Sequence, residues 1–243
     1  MNIELVRRLD GRRLAQWKAL LTEAGLALTE EPDVTALVFD DQQLVATGSR
    51  QQNVLKLIAV SESRQGEDLT SRVITALRGD ALANGYRHLF IYTKPQNKYL
   101  FSSLFFYPVA QTSDVLLMED RRGGMEEYLN NIPTFDTAGK VGAIVMNANP
   151  FTLGHQYLVE TAAEQCDKVY VFVLSEDRSE FSAQDRLNMV RLGLAHLSNV
   201  TVTETGPYLI SSATFPTYFL KNRDSAYTVQ CDLDIEIDRK SVV

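Results

Sequence analysis

Side chains able to act on an anion gather where Asn147, Asn149 and Pro150 are followed closely by Thr152, Gly154 and His155. Ahead of them Val141 to Met146 is an apolar run rich in β-formers. Behind them Leu158, Val159 and Ala162 recur at helical spacing. The pattern predicts a strand, a tight loop and a helix that starts with Thr152 as its N-cap. His155 then falls at the third helical position, among backbone N–H groups that have no acceptor inside the helix. Such an end carries partial positive charge and suits a phosphate. On spacing alone two readings of His155 stand: a phosphate-binding group, or a surface or capping residue.

The elements that must hold this group follow in order. Lys168 to Leu174 is a nearly continuous β-branched and aromatic run, as in a strand buried on both faces of a parallel sheet. A helix over 183–196 carries Leu187, Val190 and Leu194 on one face, and Val200 to Thr203 reads as the next strand. Alternating β and α elements predict a doubly wound parallel sheet with its ligand crevice beyond the carboxyl ends of the strands. The loops 147–155, 175–182 and 205–214 all leave at that edge. Arg178 and Arg186 are candidates there to neutralise phosphate charge, against the alternative of solvated surface charges. Ser211, Ser212 and Thr214 would offer hydroxyl and N–H donors at another helix start.

The first half has a different style. Leu14, Trp17, Leu20 and Leu21 predict an amphipathic helix that stops near Gly25, and 34–39, 44–47 and 54–60 predict a meander of three antiparallel strands. The polar loop Ser61 to Asp68 leads into a helix bearing Leu69, Val73, Ala76 and Leu77, then a strand over 88–93 and a helix over 98–106. His88 reads as a strand-end histidine. The boundary between the halves is expected at Arg121-Arg122-Gly123-Gly124, which gives domains over 1–124 and 140–243 and a connector over 125–139.

Composition narrows the classes. The 243 residues are 45% hydrophobic and 23% charged, ordinary for a globular chain, and the net charge of −7 disfavours general affinity for nucleic acid or anionic membrane. The start has no signal-peptide pattern and no apolar run reaches membrane-spanning length, so a cytoplasmic location is expected. Cys166 and Cys231 are far apart, without disulfide or zinc spacing.

Thr152-Leu153-Gly154-His155 after Asn149-Pro150 resembles the (T/H)-x-G-H signature of the nucleotidyltransferase superfamily, and Ile210-Ser211-Ser212-Ala213-Thr214 resembles its second signature. The first half looks like a GNAT acyltransferase core. Its loop supplies Arg64 and Gly66 but lacks the second small residue, so a structural α+β domain with a degenerate loop is the alternative. A GNAT-like half followed by Asn147 to His155, Ser175 to Ser182 and Ile210 to Pro216 is similar to the citrate lyase ligase family, from residue 1 to about residue 235.

That resemblance implies a GNAT-like α+β domain followed by a Rossmann-like nucleotidyltransferase domain with a parallel sheet. It implies an enzyme that uses ATP, with Mg2+, and acetate to acetylate the thiol of the dephospho-CoA-derived arm on the citrate lyase acyl carrier subunit. The route passes through acetyl adenylate, and the chain has no prosthetic group of its own. His155 and Thr152 would be catalytic; Asn147, Asn149, Pro150, Phe151, Gly154, Arg178, Arg186, Ser211, Ser212 and Thr214 would bind ATP; Arg64, Gln65 and Gly66 would meet coenzyme A or the carrier arm. Metal ligands are not identified by it.

The sequence departs from the broader pattern. Met146 and Ala148 stand where adenylyltransferases have Gly and Phe, and Phe215-Pro216-Thr217 follows Thr214 where they have an Arg, a charge that Lys221 or Arg223 would have to replace. Related proteins also continue further, so the nucleotidyltransferase domain is expected to be incomplete at its C-terminus. An adenylyltransferase acting on a nucleotide monophosphate or phosphopantetheine, and a non-catalytic nucleotide-binding chain, are the competing readings.

Overall fold

Alternating apolar runs in the first half build one mixed sheet. The structure, a computed structural model, describes residues 1–28, 30–133, 139–175, 180–209, 215–220 and 226–242. The chain divides into two compact units, Met1–Arg122 with Pro216–Leu233, and Gly123–Phe215 with Asp234–Val243.

In the first unit the order is β1 (Asn2–Val6), α1 (Gly11–Glu23), β2 (Val34–Asp40), β3 (Gln43–Gln51), β4 (Val54–Val60), α2 (Leu69–Ala83), β5 (Phe90–Thr93), α3 (Lys98–Ser103), β6 (Tyr107–Gln111) and β7 (Leu116–Glu119). The sheet runs β1-β2-β3-β4-β5-β7-β6. The expected antiparallel meander is β2–β3–β4. Strands β1, β6 and β7 were not anticipated: β6 contains Pro108, and β7 inserts between β5 and β6 by a pairing that sequence order does not suggest. β3 is buried at every residue from Leu44 to Arg50, which needs cover on both faces, and α1 and α2 are the helices packed on it. Leu69, Val73, Ile74, Leu77 and Ala81 of α2 form one stripe and meet Val34, Ala36 and Val38 of β2 in the core.

One irregularity shapes this unit. Between the pairs Ser49–Lys56 and Thr47–Ala59, β4 carries one residue more than β3, and Leu57 sits there at φ +56. This is a β-bulge, which bends and twists its strand. Past it, β4 leaves β5: the two parallel strands pair only at Val54–Phe90 and Leu55–Ile91. A cleft of about 760 Å³ opens here, lined in part by Ile58, Val60, Thr93, Leu100 and the start of α2.

In the second unit α4 (Gly124–Asn130) precedes β8 (Val141–Met146), α5 (Leu153–Gln165), β9 (Lys168–Val173), α6 (Ala183–Gly193) and β10 (Val200–Glu204). A last helix, α7 (Ala226–Val242), which no periodicity in the sequence announces, follows, its residues as far as Leu233 belonging to the first unit. The three strands are parallel in the order β10-β9-β8. β9 is buried on alternate sides as its composition demands. Val169, Val171 and Val173 pack with Val159 of α5 and Leu187 and Val190 of α6, while Tyr170 and Phe172 pack with Ile132, Tyr128 and Leu129. No helix among the described residues is long and apolar enough to cross a membrane.

Gly48 lies opposite the bulge, where an added Cβ would come within 2.5 Å of Val73 Cγ1 and 3.2 Å of Ile58 Cγ1. Relief of glycine's conformational entropy would favour Gly48→Ala by under about 1 kcal/mol, whereas overpacking costs about 1–3 kcal/mol, so the variant is expected to be less stable. Trp17, the one tryptophan and buried in this unit, reports the loss as a lower urea midpoint; an unchanged or higher midpoint would contradict it.

Candidate functional site

The second unit places three chain segments, after Met146, Val173 and Glu204, at the carboxyl edge of one parallel sheet. This is the edge where open α/β sheets bind ligands. The helix start at that edge has the expected form. Thr152 is the N-cap of α5, extended at φ −125 and ψ 167, and His155 is its third helical residue.

The two residues cap each other. The His155 N–H donates to the Thr152 side chain, and the Thr152 N–H donates to His155 Nδ1 at 3.1 Å. Thr152 Oγ1 lies 2.8 Å from the same ring nitrogen. This is a capping box in which imidazole takes the place usually held by Glu or Gln. Because Nδ1 accepts from the backbone, that bond assigns the proton of the neutral ring to Nε2. Nε2 makes no hydrogen bond among the described residues, and so is a free donor beside the N–H groups of the first turn. Gly154 is exposed and leaves those groups uncovered.

Phe151 holds the ring from behind, stacked at 5.8 Å between centroids and 22° between planes. It reaches this position by lying against the bare backbone of Gly193 in α6, whose added Cβ would fall 2.3 Å from Phe151 Cε1. Pro150 is exposed in the preceding turn, where Ala148 is buried at φ +50. Asn149 Oδ1 accepts the Phe181 N–H at 3.1 Å, so the Asn149 side chain fixes one loop to another.

Arg186 was expected to meet phosphates or solvent, and the structure gives it a different position. It is fully buried. Its Nη1 donates to Asn147 O at 2.9 Å, Asn147 Oδ1 at 2.7 Å and Leu174 O at 2.9 Å, and its Nε donates to Phe181 O at 3.2 Å. Main-chain carbonyls at the ends of β8 and β9 need donors once they lose water, and a guanidinium in α6 satisfies several at once. Arg186 therefore latches the loops together. Asn147, proposed from sequence for ATP, is exposed yet gives its side-chain oxygen to this latch.

Thr205, not singled out from sequence, serves the next pair of strand ends. It is fully buried and its Oγ1 accepts the Ser175 N–H at 3.0 Å. A buried threonine directly after a strand carries no distinctive spacing. Arg178, Ser211, Ser212 and Thr214, with Lys221 and Arg223, lie outside the described residues.

The first unit holds the other predicted group. Arg64, Gln65 and Gly66 all line the β4–β5 cleft. Arg64 pairs with Asp40 and, at 3.2 Å, with Glu67. The hydrogen bond to Glu67 and the charge of Asp40 push its guanidinium pKa up further. Gly66 at φ +90 and Asp68 at φ +58 turn the chain into α2. His88, expected at the end of a strand over 88–93, lies instead two residues ahead of β5, its Nε2 2.6 Å from the buried Glu119 carboxylate.

The chain is similar to several known proteins. Residues 141–243 match the family model described as citrate lyase ligase C-terminal domain. A citrate (pro-3S)-lyase ligase of Klebsiella pneumoniae is 41% identical over 222 residues, 90% of this chain and 65% of that protein. One of Escherichia coli strain K12 is 37% identical over 237 residues, 97% of this chain and 67% of that protein. The chain thus spans about two thirds of the length of these relatives. Among solved structures, Escherichia coli ElaA aligns with 49% of this chain and 99% of its own at a TM-score of 0.43 and 14% identity.

Replacing Arg186 by Met keeps the aliphatic stem and strands carbonyls of Asn147, Leu174 and Phe181. A buried acceptor left unsatisfied costs about 1–3 kcal/mol, so Arg186→Met is expected to lose about 2–4 kcal/mol. Amide hydrogen exchange of β8 and β9 should speed up accordingly, and undiminished protection would refute the latch.

Proposed function

Because the chain belongs to the citrate lyase ligase family, we propose that it acetylates the thiol of the citrate lyase acyl carrier subunit at the expense of ATP. An acetate oxygen attacks the α-phosphorus of ATP, the bond to the β-phosphate breaks, and pyrophosphate leaves. The thiolate of the dephospho-CoA-derived arm then attacks the carbonyl carbon of acetyl adenylate and expels AMP. Of the expected domains, 140–243 would carry the adenylating step and 1–124 would receive the arm, joined through 125–139, with Pro216–Leu233 belonging to the unit that receives it. The reaction would run in the cytoplasm.

The observation that carries this reading is the capped histidine. Substitution at phosphorus needs alignment and positive charge where the equatorial oxygens gather charge. A neutral imidazole whose Nδ1 is held by a backbone N–H offers Nε2–H to such an oxygen without losing a proton. The amides of the first turn add further donors at no cost in reorganisation. Thr152 both caps the helix and orients the ring. Asn149, Pro150, Phe151 and Gly154 would shape the rest of the ATP site, Asn147 and Arg186 would set its loops, and Arg178, Ser211, Ser212 and Thr214 would complete it.

Among the described residues no group of three or more His, Cys, Asp or Glu could hold a metal ion. The phosphates themselves would carry the magnesium that accompanies ATP, which supplies positive charge to the triphosphate.

The β4–β5 cleft suits the arm. Pantetheine is a chain of amides, and amides can add to a strand edge as a further strand would. The cleft offers two such edges where β4 and β5 part company.

An ATP–pyrophosphate exchange assay tests the proposal. Exchange is expected only with acetate. His155→Ala should slow it by about 10²- to 10³-fold, the usual effect of losing one charge-stabilising donor. Loss of the cap should cost only about 1 kcal/mol of stability. Exchange driven instead by phosphopantetheine would favour an adenylyltransferase, and ATP binding without exchange would leave a non-catalytic chain.

A further inference from the structure

Two of the side chains that line the β4–β5 cleft, Tyr218 and Phe219, come from far beyond the strands and helix that frame it. Tyr218 lies 126 residues from Tyr92, yet its hydroxyl donates to the Tyr92 carbonyl at 2.6 Å. Its own carbonyl accepts the Ala27 N–H at 2.9 Å, so the residue is held at both ends. The ring is only 6% exposed and lines the cleft, with Phe219 edge-on to it at 5.1 Å and 83°. Burial pushes the Tyr218 hydroxyl pKa up, so it remains a donor at neutral pH.

Its place in the cleft is specific. The strands still pair at Leu55–Ile91, and Tyr92 is the next residue of β5. The loop carrying Arg64 and Gly66 follows the far end of β4, so the cleft runs from that polar loop toward the point where the strands join. Tyr218 bonds at the narrow end. An extended arm whose phosphate end lies near the start of α2 would bring its thiol there.

We infer that Tyr218 is the specificity-determining residue of this cleft, walling off its narrow end so that it accepts a pantetheine-type arm ending in a thiol or a short acyl thioester and rejects longer acyl groups. The hydroxyl also occupies the Tyr92 carbonyl, which leaves the arm's amides to pair along β4. This rests on the reading of the cleft as the site of the arm.

Calorimetric titration of the full chain with coenzyme A, acetyl-CoA and hexanoyl-CoA tests it. The unmodified chain should bind the first two comparably and hexanoyl-CoA at least about tenfold more weakly, since rejecting surplus methylenes is worth that order. Tyr218→Ala and the milder Tyr218→Leu should bring hexanoyl-CoA to within about threefold of coenzyme A, while Tyr218→Phe, which keeps the ring, should retain the discrimination. Trp17 fluorescence checks that each variant is folded. Folded Ala and Leu variants with an unchanged ratio, or a parallel loss for all three ligands, would overturn the role of Tyr218. Equal binding of coenzyme A and hexanoyl-CoA by the unmodified chain would do the same and leave the cleft reading intact. Failure of the unmodified chain to bind any of the three would remove both.

Discussion

The reciprocal hydrogen bonds of Thr152 and His155 are the constraint on which the proposed nucleotide site depends. A helix cap is worth only about 1 kcal/mol, a small part of a domain's stability. Its consequence for chemistry is larger than its energy. By committing Nδ1 to a backbone donor, the cap leaves a single proton on the outward nitrogen and fixes the direction in which it points. Capping, one of the two readings the sequence offers for His155, therefore does not exclude the other, the phosphate binding proposed for it. A glutamate in the same box would cap as well but would bring negative charge to the place proposed for phosphate.

Behind this helix start, the loops are held from inside the protein. Arg186 is a cation with no exposure, and a guanidinium is rarely buried unless its donors are used. Here the fold creates the need: strand ends at the carboxyl edge of a parallel sheet present carbonyls that the ladder no longer satisfies. Arg186 meets those of Asn147 and Leu174, and Asn149 and Phe181 tie the α6 turn to the same place. Rigid loops behind a helix terminus allow the donors in front to be positioned before substrate arrives, which is where electrostatic catalysis gets its strength.

Much of this second unit was legible because its periodicity changes sharply. Val141–Met146 and Lys168–Val173 lie at their expected positions, and Thr152 caps the helix that its side-chain type predicts. What was not legible depends on partners remote in sequence. Charge alone assigns Arg186 to water or phosphate, because nothing in the composition of α6 announces the carbonyls around it. Tyr170 and Phe172 read as buried, but not that Ile132 and Tyr128 would cover them. In the first unit, the bulge at Leu57 has no glycine to signal it; the glycine is Gly48, across the ladder, where α2 comes too close for a side chain.

That bulge also decides what the cleft can bind. Besides Arg64 and Lys94, its walls carry Glu23, Glu62 and Asp68, and Arg64 is already engaged by Asp40 and Glu67. Little net positive charge is left to attract polyphosphate. For the proposed arm, attraction for its phosphate would have to come from backbone N–H groups where Gly66 and Asp68 turn the chain into α2, which are short-ranged and directional rather than steering. The longer part of the cleft is two diverging strand edges lined with Ile58, Val60 and Leu100. Its chemistry favours the amide and methylene portion of an arm over the anionic end. Specificity in such a cleft comes from length and hydrogen-bond register, the two properties that a tyrosine bonded to the first unladdered carbonyl controls.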